Sequence, residues 1–319
     1  MLGIVHYFIS LKDHSYWNGV CIVYRKFKKN IYIVPGSPVS LVIKCDDSVW
    51  LVDPGMGRDR SSIVKEALFR LGINSYKILL SHCHYDHIEA LSGFIGKKVY
   101  VSILEAGILM DPLIRETVTY GHNPLPRLLG LNRLFFKDLG INVIKYPLPE
   151  KIDCLELVDL RGHSPGLLGL KLGDDAVFLA DSLFGDRLLM RVGIPYHLDL
   201  YTALYRLENT VKAFADEGYR AILSHGPVVE GKKFRRLVDL NIERIKKVIE
   251  FAEELLSKSY YTLEQLTINI LKHLGAEPTP SNIYLGLVPV NSILNKLYQD
   301  PGLEYIIKDS GVKWRIKRT

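Results

Sequence analysis

Apolar and polar positions over the first fifty residues alternate in short runs separated by turn residues. Residues 4–9, 20–24, 31–34, 41–45 and 49–52 read as successive strands, punctuated by Pro35-Gly36-Ser37-Pro38 and Asp46-Asp47. The period then changes. Ile63, Ala67, Leu68 and Leu71 fall on one face of a helix capped by Asp59 or Ser61 and stopped by Gly72. Residues 77–81 return to a short buried strand. Far downstream, Leu237, Leu240, Ile245, Val248, Ile249, Ala252 and Leu256 mark one long helix over 232–257. Thr262 caps a second helix ending at Gly275, and 290–298 predicts a third. Residues 303–308 and 312–316 flank Asp309-Ser310-Gly311 as two short strands.

The first part of this pattern recurs. Ser37-Pro38, Leu41-Val42-Ile43-Lys44, Asp46-Asp47 and Val49-Trp50-Leu51-Val52-Asp53 are matched by a later series. That series is Ser164-Pro165, Leu168-Gly169-Leu170-Lys171, Asp174-Asp175 and Val177-Phe178-Leu179-Ala180-Asp181. Beyond each copy lies a helix and then a near-identical strand end, Ile78-Leu79-Leu80-Ser81-His82 and Ala221-Ile222-Leu223-Ser224-His225. A repeat of this size predicts two similar halves. If the halves pair face to face, the strand ends bearing His82, Asp181 and His225 converge on one edge, with Asp53 and Asp181 at equivalent places.

Residues 105–150 have no counterpart in the repeat. Pro- and Gly-rich turns there separate short helical stretches such as 127–139, and such an insertion covers a site rather than building core. Tyr120, His122 and Arg127 are candidates to face a substrate. Arg127 and Arg133 are the cations able to clamp a carboxylate or phosphate there.

At 319 residues the chain has room for one large domain and a small one, divided here at 1–230 and 231–319. No apolar run is long enough to cross a bilayer, and the N-terminus lacks a basic lead-in, so a cytoplasmic protein without a membrane partner is expected. The net charge of +6 gathers after His225, in Lys232, Lys233, Arg235, Arg236 and the basic end of the chain. A solvated face accounts for it better than a nucleic-acid surface. Cys21, Cys45, Cys83 and Cys154 show neither zinc-type spacing nor a disulfide framework. Scarce glutamine beside plentiful Lys, Arg, Glu and Ile is a thermophile's bias, and in such hosts an intracellular disulfide is less surprising. Homo-oligomerisation is left open.

The chemistry concentrates in His82-Cys83-His84-Tyr85-Asp86-His87. Two imidazoles two residues apart on an extended segment project to the same side and can grip one ion. Asp86 and His87, a turn further on, suit a second. Imidazole with carboxylate favours zinc or iron over magnesium or calcium. Cys83, alternating with the two histidines, should point away from the metal and pack.

This His-x-His-x-Asp-His pattern resembles the signature of the metallo-β-lactamase superfamily, and the repeat supports the resemblance over roughly residues 1–230. The resemblance implies an α/β fold, an αββα sandwich of two similar halves with the metals at one edge. A small, mainly helical C-terminal module follows, whose helices and hairpin resemble a winged helix. It further implies that His82, His84 and His163 hold one divalent ion, that Asp86, His87 and His225 hold another, and that Asp181 bridges both. Asp53, by analogy, would orient a ligand imidazole from behind. Zinc is the expected metal, with iron or manganese open.

The activity implied is metal-dependent hydrolysis by a bridging hydroxide, with Asp86 orienting the nucleophile or shuttling its proton. A small-molecule ester, thioester or lactone is favoured, as for hydroxyacylglutathione hydrolases and lactonases. The reason is the insertion, which supplies Leu125, Leu128, Leu129, Leu131, Leu134, Phe135 and Phe136 with few cations. The alternatives are a phosphodiesterase or nuclease with a nucleic-acid-binding C-terminal module, a persulfide dioxygenase using one iron, and a non-enzymatic nucleic-acid-binding regulator. No Gly-x-Ser-x-Gly, P-loop or Rossmann fingerprint competes with this motif.

Overall fold

A computed structural model describes residues 16–17, 20–21, 23–121, 130–131, 133–136, 138–299 and 302–317. A short antiparallel pair, β1 (Tyr16–Trp17) and β2 (Val20–Cys21), precedes the main body. Seven strands form the first sheet in sequence order: β3 (Arg25–Lys28), β4 (Ile31–Val34), β5 (Ser40–Lys44), β6 (Val49–Val52), β7 (Lys77–Leu79), β8 (Lys98–Ser102) and β9 (Gly140–Ile144). Pairing is antiparallel as far as β6 and parallel from there on. Five strands form the second sheet: β10 (Lys151–Ile152), β11 (Leu155–Asp159), β12 (Leu168–Lys171), β13 (Ala176–Phe178) and β14 (Arg220–Ile222). Here too the antiparallel run ends in one parallel pair, β13 with β14. The two halves expected from the repeat therefore share a topology.

Side-chain alternation explains the layering. Leu41, Ile43, Trp50, Val52 and Leu79 belong to the cluster packed between the sheets, while Val42, Leu51, Ile78 and Leu80 belong to a second cluster under the helices. Both faces of the central strands are covered, which is why they read as near-continuous apolar runs. Helix α1 (Arg60–Arg70) buries Val64, Ala67 and Leu68 in the outer cluster. One helical turn, α2 (Tyr85–Ile88), follows β7. Next come α3 (Ile103–Met110), capped by Ser102, and α4 (Pro112–Tyr120), capped by Asp111 and stopped at Gly121 with φ 61°.

On the other side lie α5 (Asp186–Val192), α6 (Leu200–Arg206), running through a π turn into α7 (Lys212–Asp216), and α8 (Gly231–Lys258). Helix α9 (Leu263–His273) starts at the Thr262–Gln265 capping box. It is followed by α10 (Pro280–Gln299) and the hairpin β15 (Leu303–Lys308) with β16 (Gly311–Ile316). The result is an αββα sandwich. Phe234, Ile245, Ile270, Ile293 and Leu303 of the C-terminal elements share one apolar cluster with Leu170 and Phe178 of the second sheet. No described helix is long and apolar enough to cross a membrane.

Several expectations shift. The strand expected at 4–9 lies outside the described residues. Of the one expected at 20–24, Val20–Cys21 is strand, residues 23–24 are not and residue 22 lies outside the described residues; the sheet edge is instead the charged Arg25–Lys28. Charge suits an edge, and hydrophobic patterning does not detect it. Of the helix expected at 127–139, residues 133–136 are not helical, 127–129 lie outside the description, and the stretch leads into strand β9. The third C-terminal helix begins at Pro280 rather than 290, with Pro289 buried inside it. Cys45 and Cys154 form a disulfide spanning 109 residues. No spacing rule detects a pair that meets only when the two sheets face each other.

Candidate metal centre

Four strand ends, two from each sheet, build the site. Strands β6, β7, β13 and β14 finish at one edge, followed respectively by Asp53, by His82 and His84, by Asp181, and by His225. His163 comes from the β11–β12 loop, held against α6 by Asp199 N–H to Gly162 O at 3.0 Å. Gly162 is at φ +131°, and a Cβ there would lie 2.5 Å from Ala203 N, so the loop requires glycine.

The seven candidate donors converge in two groups. Ligand atoms of His82, His84 and His163 lie within 4.8 Å of one another, and so do those of Asp86, His87, Asp181 and His225. His84 Nδ1 stands 2.9 Å from His163 Nε2. Asp181 reaches both groups, with Oδ2 3.5 Å from His163 Nε2 and 3.4 Å from His225 Nε2, and Oδ1 3.5 Å from His87 Nε2. His82 Nε2, His87 Nε2 and Asp181 Oδ1 are buried without a hydrogen-bond partner among the described residues. Buried polar atoms left this way are costly, and inward lone pairs on imidazole and carboxylate are what a divalent cation satisfies. The donor set fits zinc or a similar ion.

Electrostatics divide the groups. Burial, reinforced by neighbouring histidines, pushes His82 well below its usual value and His84 down to about 3; burial also lowers His163. These rings are neutral, as ligands must be. In the other group burial works against charge, but mutual attraction overrides it. His225 is pushed up to about 10, chiefly by Asp181 and with help from Asp86, and His87 is raised well above normal by Asp181, Asp86 and Asp53. Asp86 falls to about 2, opposed by burial but favoured by His87 and His225, and Asp181 is likewise held, against burial, well below its usual value by His225 and His87.

The remaining ring nitrogens are pinned from behind. His87 Nδ1 donates to Asp53 Oδ2 at 2.9 Å, and His163 Nδ1 donates to Tyr196 O at 2.9 Å. His225 Nδ1 lies 2.8 Å from Ser37 Oγ. Ser81 Oγ donates to Asp53 at 2.6 Å and stands 3.1 Å from His82 Nδ1, so a single carboxylate steadies two rings. The loop carrying Ser37 is fixed in turn by buried Arg60. Its guanidinium donates to the carbonyls of Val34, Pro35 and Pro38 and to Ser40. Ser37, Ser81, Tyr196 and Arg60 were not singled out from the sequence, because serines, carbonyls and a lone arginine carry no motif.

The repeat needs one correction. Val52 pairs with Leu79 and Phe178 with Ile222, and Leu79 and Ile222 each stand three residues before a site histidine. Asp53 N–H and Leu179 N–H make the matching next bonds, each 3.0 Å. The equivalent of Asp53 is therefore Leu179. Asp181 lies two residues further along, which is why it enters the site while Asp53 stays behind it.

A cavity of about 620 Å³ opens from the donors, lined by His84, Asp86, His163, Asp181 and His225 at its floor and by Tyr120 among its walls. His122 and Arg127 lie outside the described residues. Arg133 is no clamp, since it pairs with Glu116 through two 3.1 Å bonds away from the cavity. Cys83 is buried in the outer cluster with its thiol free.

The model of the metallo-beta-lactamase superfamily matches residues 33–197, and the chain belongs to that family. A beta-lactamase domain protein from Burkholderia ambifaria superposes with TM-score 0.68 at 15% identity, covering 92% of this chain and 94% of its own. A metallo-beta-lactamase family protein from Thermus thermophilus gives 0.60 at 15%, covering 92% and 100%. The sec-alkylsulfatase Pisa1 from Pseudomonas sp. gives 0.54 at 16%, covering 87% of this chain and 52% of its own. Among curated proteins, the putative transcription factor avaE of Aspergillus versicolor is 31% identical over 113 residues, 34% of this chain. The chain spans about a third of that relative's length. Family membership and two groups of donors together support a metal-dependent hydrolase.

Proposed function

We propose that the protein is a dinuclear metal-dependent hydrolase of small acyl substrates: esters, thioesters or lactones. The observation that carries this reading is the pair of donor groups sharing Asp181 at the floor of a cavity. His82, His84 and His163 would hold one ion and Asp86, His87 and His225 the other. Such ions, when bound, activate water near neutral pH and polarise a scissile carbonyl. The chain's own part is to hold the rings through Asp53, Ser37, Ser81 and the Tyr196 carbonyl, and to keep Asp86 ionised. Asp86 lines the cavity, so its carboxylate can orient the attacking water and take its proton.

The walls favour an acyl substrate. Met56, Leu131, Phe184, Leu188, Ile194 and Leu285 give apolar cover. Arg58, Arg187 and Arg191 also line the cavity and offer charge for an anionic group of the substrate. Glu89, also in the wall, is occupied by Gly57 N–H and the Tyr85 hydroxyl. Helix α10 contributes Asn282 and Leu285 to the lining, which argues for a C-terminal region that helps enclose substrate rather than read nucleic acid. The retention of all seven donors favours hydrolysis over single-iron dioxygenation.

The test is turnover by zinc-loaded protein of matched thioesters, lactones and phosphodiesters. Acyl turnover abolished by chelation is expected. Activity confined to phosphodiesters or RNA would reverse the choice of bond.

A further inference from the structure

Glu105 sits in the first turn of α3, fully buried, and does not line the cavity. Its carboxylate joins two distant segments. Oε2 accepts from Cys83 N–H at 3.0 Å, and Oε1 accepts from Gly166 N–H at 2.7 Å. Cys83 stands between His82 and His84, and Gly166 follows His163 by three residues. One side chain therefore straps together the two pieces of backbone that carry the three-histidine group.

The approach is close by construction. A Cβ on Gly166 would lie 2.9 Å from Glu105 Cγ and 2.7 Å from Ser102 Oγ, the oxygen that caps α3. Glu105 forms no ion pair among the described residues, and burial pushes its carboxyl up to about 7. A carboxylate kept in such surroundings is a poor choice for packing alone. The second donor group has a support of its own, Ser37 behind His225, while Asp53 stands behind His87 and, through Ser81, behind His82 as well; neither touches Glu105.

We propose that Glu105 is a positioning residue for the three-histidine group, setting the spacing between the His82–His84 segment and His163 without governing the Asp86–His87–His225 group. This rests on the dinuclear reading above. It is tested in the full-length protein with Glu105→Gln, which leaves one acceptor oxygen and turns an amide toward a backbone N–H, and with Glu105→Ala, which removes both acceptors. Ser37→Ala probes the other group. Zinc occupancy at each position is read from anomalous diffraction at the zinc edge and affinity from chelator competition, with circular dichroism to check folding.

The two Glu105 variants should lose roughly 10–100-fold in zinc affinity at the three-histidine position, with the other position unchanged, and Ser37→Ala should show the reverse. If Glu105→Ala does not fold, Glu105→Gln decides. Equal losses at both positions, or none at either, overturn the proposal. A wild-type protein that takes up a single ion overturns the dinuclear reading and the proposal with it.

Discussion

The fully buried carboxylate of Asp53 accepts a 2.9 Å hydrogen bond from Nδ1 of fully buried His87. The same oxygen accepts from Ser81 Oγ, which stands 3.1 Å from His82 Nδ1, while Asp53 Oδ1 takes Ser81 N–H at 2.7 Å. A residue with no view of the cavity thus fixes one ring in each donor group. Asp53→Asn removes an acceptor and presents an amide where His87 donates. Zinc affinity should fall by roughly 10–100-fold overall, with both positions affected, as measured by chelator competition.

In the function proposed above Asp86 serves both metal binding and catalysis; it stands 3.0 Å from His225 Nε2 and lines the cavity. In Asp86→Asn the remaining donors still surround the position, so most of the metal should stay bound. The amide cannot take a proton. Turnover of an acyl substrate should fall by roughly 10²–10⁴-fold in kcat with a smaller change in KM. A variant with unaltered kcat would remove Asp86 from the chemistry.

The pH dependence of metal uptake follows from the charged group. His87 and His225 are protonated at neutral pH in the metal-free protein because Asp181 and Asp86 face them. A histidine with a raised folded pKa stabilises the fold fully below its unfolded value, about 6.5. That contribution is lost as pH rises through about 10 for His225. Metal-free protein should therefore lose stability between these limits, and zinc-loaded protein, with both rings deprotonated and ligated, should lose less. Zinc must displace those protons, so about two should be released per chain at neutral pH. Calorimetry in buffers of different ionisation enthalpy measures the number.

The Cys45–Cys154 bridge ties the sheets at the end of β5 and the start of β11, the edge opposite the donors. Cross-linking over 109 residues chiefly restricts the unfolded chain. Cys45→Ser with Cys154→Ser should lower the unfolding free energy by about 2–4 kcal/mol in urea titrations. Zinc stoichiometry should not change.

The sequence exposed the part of the site that clusters. His82, His84, Asp86 and His87 fall within six residues, and the matching strand ends led to Asp181 and His225 before any fold was in view. What it hid were contacts made by ordinary groups. Ser37, Ser81 and Glu105 become meaningful only when loops distant in the chain lie a hydrogen bond apart. The repeat led to the right strands, yet aligning similar side chains placed Asp53 opposite Asp181, whereas the backbone register pairs it with Leu179. Side-chain similarity survives a shift of two because residues two apart share a sheet face. Hydrophobic patterning likewise found the buried strands and passed over β3, whose charges face solvent at the sheet edge.

The central claim is that this chain holds two ions that share Asp181. Elemental analysis of protein dialysed from excess zinc tests it most directly. About two equivalents per chain are expected for the wild type, and no more than about one for Asp181→Ala. Protein that retains no metal and cannot be reloaded would contradict the account. So would a single tightly held iron accompanied by oxygen consumption on persulfide substrates.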